Sequence, residues 1–186
     1  MALTKVRTGG ITADAVDNTI LKLDDNFAFT GSITGIITTS SDVSPSGNAE
    51  ADFLSLPSGI KRIFINFYGV SGAGSDVAAL IRLGTSAGLK NSGYGSTTHY
   101  GSGGTNDSSG IAVYGTQTSS AINGIVILTH MGSNIFVSSH SIRYNNANGA
   151  FGGGYVQLDN TLDRIRVQLI SGGNFDSGTI NLMFEK

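Results

Sequence analysis

The chain has 186 residues, with 11 lysines and arginines against 13 aspartates and glutamates, for a formal net charge of -2. Without a clustered basic patch, so balanced a charge excludes a nucleic-acid partner, which requires phosphate neutralisation. Cysteine is absent, which excludes disulfides and thiolate metal sites. No apolar run reaches the roughly 18 residues of a membrane-spanning helix, so no membrane insertion is expected. The 27 glycines are about twice the usual share and the charged fraction of 13% about half of it, so the surface is polar through hydroxyls and amides. The start, Met1–Arg7, has no apolar core of a secretory signal.

The first fifty residues differ from the rest. Thr12 stands where an N-cap belongs, and Asp14 and Asp17 favour the start of a helix. Val16, Ile20, Leu23 and Phe27 recur at spacings of four, three and four, one apolar stripe on a short helix over about residues 12–26. A helix this short is marginal alone in water. Its stripe therefore needs a partner, either its own domain or a seam shared by three identical chains. Phe29–Thr39, rich in β-branched residues and glycine, reads as extended backbone. Ser40–Asn48 is a loop by composition, and we expect the boundary there: 1–50 for attachment and trimerisation, 51–186 for the main domain.

From Ala51 the period is two. Ile63, Ile65 and Phe67 share one face of Arg62–Tyr68, and Ala78–Leu83, Gly124–His130 and Ile135–Val137 read as further strands. Arg164–Leu169 sends Ile165, Val167 and Leu169 inward; Thr179–Phe184 does the same with Ile180, Leu182 and Phe184. Strands with one buried face are antiparallel rather than doubly wound. The expected fold class is all-β, an antiparallel β-sandwich of jelly-roll type preceded by the short helix and the extended segment. Two segments, Gly84–Gly110 and Asn145–Gly154, break the rhythm and read as long loops. They carry Tyr94, His99, Tyr100, Tyr144, Phe151 and Tyr155; rings among small residues make adaptable binding surfaces, and these six are the binding candidates beside a structural reading.

Residue patterns that could carry catalysis are weak. Gly84-Thr-Ser-Ala-Gly88 matches a nucleophile elbow, but the residues after Ser86 form no helical pattern. His99, His130 and His140 lie in no metal-ligand spacing, and Asp107, Asp159, Asp163 and Asp176 sit in turn-like contexts where acids bond local backbone. No catalytic residue, metal or cofactor is assigned, and no enzyme is expected. Asn106-Asp-Ser108 fits a glycosylation sequon.

Gly10–Gly31 resembles segments of bacteriophage tail-fibre and virion structural proteins, and Arg164–Glu185 resembles the closing strands of fibre head domains. The resemblance implies a trimeric β-sandwich head. It implies a homotrimer set by Val16, Ile20, Leu23 and Phe27, with the N-terminal segment bound to other virion proteins. The protein would then sit on the tail or capsid surface of the virion, its loops facing a host cell-surface glycan or protein. The alternative in the same family is a capsid decoration, cement or head-fibre protein with a purely structural role. Long fibres have an extended shaft, and here almost none separates residue 31 from residue 51, which implies a short appendage.

Overall fold

The computed structural model describes residues 37–73, 78–101, 103–115, 120–144, 148–170 and 172–186. The expected helix over residues 12–26, with Val16, Ile20, Leu23 and Phe27, lies outside the described residues. Every regular element among the described residues is a strand. In chain order these are β1 (Ile37–Thr39), β2 (Glu50–Phe53), β3 (Arg62–Gly72), β4 (Ala78–Thr85), β5 (Gly88–Leu89), β6 (Gly95–Tyr100) and β7 (Gly103–Asp107). The series continues with β8 (Ile111–Tyr114), β9 (Ile122–Gly132), β10 (Ile135–Arg143), β11 (Gly149–Gln157), β12 (Arg164–Leu169) and β13 (Phe175–Glu185).

The strands form two antiparallel sheets. The larger has 8 strands in the order β1-β13-β3-β9-β10-β11-β6-β7; the smaller runs β2-β12-β4-β5, with β8 also paired to β4. Period-two alternation in the sequence becomes alternation of burial. Ile165, Val167 and Leu169 of β12 are fully buried while Arg164, Arg166 and Gln168 are not. A single cluster of buried side chains draws on both sheets, taking Ile63, Ile65 and Phe67 from β3, Ile81 and Leu83 from β4, and Leu182 from β13. Each such aliphatic or aromatic side chain contributes roughly 1.5–3 kcal/mol when withdrawn from water.

Short-range chemistry sets one register directly. Ser133 and Asn134 join β9 to β10 with φ of 49° and 58°, the left-handed pair of a tight hairpin turn. Asn tolerates that conformation, and the pairing Ile135↔Gly132 follows from it.

Two expectations are corrected. Residues 37–50 were expected to belong with the N-terminal segment, yet β1 pairs with β13 and Val43 bridges Ile180 in the larger sheet, and Glu50 opens β2 of the smaller one. The presumed loops are largely strands: β5, β6 and β7 lie within Gly84–Gly110, and β11 covers most of Asn145–Gly154. The reason is close packing rather than side-chain hydrophobicity. A Cβ at Gly152 would overlap the Thr97 carbonyl oxygen and stand 2.6 Å from His140 Cε1; one at Gly154 would stand 2.6 Å from the Gly95 carbonyl oxygen. Glycine is what lets these backbones approach.

Candidate ligand-binding surface

Residues that alternate outward on the larger sheet share one face, and registration lines them up across strands. Thr97 of β6 lies opposite Gly153 of β11 and Asn106 of β7; His99 lies opposite Phe151 and Gly104. The His99 and Phe151 rings stack with centroids 5.8 Å apart, and Phe151 remains 64% exposed. Next along β11 on that face, Tyr155 is 57% exposed and pairs with Gly95. A Cβ at Gly95 would overlap the Tyr155 ring, standing 2.9 Å from Cζ, so the phenol rests on bare backbone.

Beside Tyr155 an open cleft of about 600 Å³ is lined by Thr97, Asn106, Asp107 and Ser108, with Tyr94, Gly95 and Ser96 as its floor. Its polar groups are held in place. The Thr97 hydroxyl donates to Asn106 Oδ1 at 2.9 Å, which leaves the amide NH₂ as a donor. Asp107 Oδ1 accepts from the Ser109 N–H and hydroxyl, each at 2.6 Å, and from the Gly110 N–H at 3.1 Å. Those three donors fix the carboxylate and engage one of its two oxygens. The cleft therefore presents an apolar ring, a donor and an acceptor side by side.

The six aromatic candidates divide. His99, Phe151 and Tyr155 occupy the outer face. Tyr94 does not: it is 5% exposed, and its hydroxyl accepts the Leu83 N–H at 2.8 Å and reaches the carbonyls of Leu83 and Lys90. Burial pushes this phenol up to about 12, so it stays neutral. Tyr100 and Tyr144 are half-buried and both meet Tyr114. Tyr100 stacks on Tyr114 at 3.4 Å, Tyr144 meets Tyr114 edge-on at 5.0 Å, and burial, with these two phenols beside it, raises the Tyr114 pKa.

Ser86 lies in the turn between β4 and β5, so a strand follows it where a nucleophile elbow needs a helix. Asp159 pairs with Lys90 at 3.0 Å, Asp163 with Arg164 at 2.8 Å, and Asp176 accepts from the Ser71 hydroxyl. His130 stacks on Phe136, and His140 is buried. Among the described residues no group of three or more His, Asp or Glu stands together as a metal site would require.

Sequence reading missed Thr97, Asn106 and Ser108 as site residues and took Asp107 as a turn acid only. A signal was there: Ser96-Thr-Thr-His-Tyr100, then Gly101-Ser-Gly103 and Thr105-Asn106, reads as strand, turn and strand. Comparison with family models, with curated proteins and with solved structures finds no match to this chain.

Proposed function

We propose that this chain is a non-enzymatic structural and binding component of a virus particle, the head of a short trimeric bacteriophage fibre that serves host-surface adhesion. We read the two sheets as halves of a jelly-roll β-sandwich. Along this frame the chain passes from one sheet to the other at every step except β4 to β8, with β1, β13, β3 and β9 in one sheet and β2, β12, β4 and β8 in the other, and this eight-stranded frame supplies most of the core. Strands β10, β11, β6 and β7 then extend one sheet beyond the frame.

The observation that carries the reading is an apolar row on the outer face of the larger sheet, flanked there by the Arg62–Glu185 ion pair. On the smaller sheet the outward side chains are charged and paired: Arg166 meets Glu50 at 2.6 Å and Asp52 at 2.7 Å, and Arg82 meets Gln168 at 3.3 Å. On the larger sheet one register row runs Met183, Phe64, Ile127, and Ile125 and the 54% exposed Ile37 lie beside it. An apolar strip of this kind on an otherwise polar surface favours a protein partner. Two further copies of the same chain are the occupant we assign, in line with the N-terminal stripe of Val16, Ile20, Leu23 and Phe27.

Light scattering on the full chain tests the assembly: the expected mass is three times 19.2 kDa. Labelling the protein in an intact virion tests its place, with density at the tail expected for adhesion and density on the capsid for the decoration role. A stable monomer, or absence from the particle, would overturn the proposal.

A further inference from the structure

We infer that the cleft between β6, β7 and β11 is a subsite for one neutral pyranose ring of a saccharide. The inference deepens the adhesion reading by naming a ligand class, and it rests on that reading only for its biological setting. All the lining residues belong to strands or turns added outside the eight-stranded frame, so the frame's core does not depend on them for its strand order.

A pyranose has a C–H-rich face and a rim of hydroxyls. The Tyr155 ring, supported by Gly95 and 57% exposed, offers a rigid platform for the first. Aromatic rings take such contacts at little entropic cost. The rim needs alternating donors and acceptors at neighbouring positions. Asn106 supplies the amide donor, oriented by Thr97, and Asp107 the acceptor, oriented by its three turn donors. A vicinal diol can donate to the carboxylate and accept from the amide at once, with Thr97 and Ser108 hydroxyls adjoining.

Charge selects within the class. Among the described residues no lysine, arginine or histidine lines the cleft, and the one acidic side chain there is Asp107. A sialylated, uronic or sulfated sugar would meet like charge with no counter-cation, so neutral hexoses are favoured. A purely apolar ligand would strip water from Asn106 and Asp107 without replacing their hydrogen bonds.

The test uses the full chain, isotopically labelled, titrated with methyl glycosides of glucose, galactose, mannose and N-acetylglucosamine, and with glucuronate and sialic acid for comparison. At least one neutral glycoside is expected to shift the amide resonances of Thr97, Asn106 and Tyr155. Tyr155→Ala and Asn106→Ala should each weaken that binding about tenfold. Tyr68→Ala, an exposed ring outside the cleft, should leave it unchanged. The unmodified chain answers the first question even if a variant folds poorly. No response to any neutral glycoside, preference for the acidic sugars, or binding that survives both cleft variants overturns the inference; so does a protein strand pairing on the β7 edge as the cleft's only occupant. Light scattering on the same samples separates the two proposals: a trimer that binds no sugar sinks only the cleft, and a monomer that binds sugar sinks only the assembly.

Discussion

His140 Nε2 and the Thr98 hydroxyl stand 3.0 Å apart although their strands are not neighbours. Strand β11 runs between β10 and β6, and Gly152 is the residue registered with both His140 and Thr98. The imidazole crosses the strand at a residue that has no side chain. Nδ1 has no hydrogen-bond partner, and burial lowers the His140 pKa from 6.5 to about 4.

The pH consequence has a definite sign. Above pH 6.5 the imidazole is neutral folded or unfolded, and the fold bears no penalty. As pH falls from 6.5 towards 4 the unfolded chain takes up a proton that the native state refuses, and stability declines. The full loss is about 3 kcal/mol. Urea melts of the parent and His140→Gln, which hydrogen-bonds without titrating, should converge as pH is lowered through this window. Parallel curves would refute it.

Gly152→Ala should be among the costlier single methyl additions in the chain, at about 3 kcal/mol, because the Cβ meets backbone on one side and the His140 ring on the other. At Gly47 nothing lies within 4 Å, and only its φ of +80° opposes a side chain. Alanine there should cost about 1 kcal/mol. Equal losses in thermal or urea unfolding would contradict the close-packing account of β11.

Tyr94→Phe removes a hydroxyl that serves the Leu83 N–H in a buried place. We expect a loss of about 1–2 kcal/mol in chemical denaturation.

Arg166 bridges Glu50 and Asp52 at the surface, and its side chain keeps 27% exposure. The hydrogen bond to Asp52 raises its already high pKa further, so the charge is constant over the usual range. A double-mutant cycle between Arg166→Met and Asp52→Asn should return a coupling of about 1 kcal/mol or less, declining in high salt. A larger, salt-independent value would mean a buried pair.

Phe64→Glu puts a charge in the apolar strip of the larger sheet, beside Met183 and Ile127. On the trimeric reading, scattering mass should fall towards 19.2 kDa while the circular dichroism of the sheets is retained. An unchanged trimer would remove this face from the interface.

The fold was legible in the sequence wherever burial alternates with apolar character. Arg164–Leu169 and Thr179–Phe184 announced both their strand state and their inward faces, and the structure buries those very side chains. In β6 and β7 most positions are glycine, serine, threonine or other small polar residues, and β11 has glycine at four of nine positions, so apolar character marks no continuous face. For that reason the strands looked like loops, and the cleft they form was seen only through its rings.

The sequence by itself determined the all-β class and the inward set of the core strands, because a period of two is written locally, residue by residue. Only the tertiary structure decided that Tyr94 turns its hydroxyl to β4, that Gly95 seats Tyr155, and that Asn106 reaches Thr97. Those relationships depend on which distant strands pair and in what register. That choice is made by closure of the whole sheet around its shared core rather than by any local pattern.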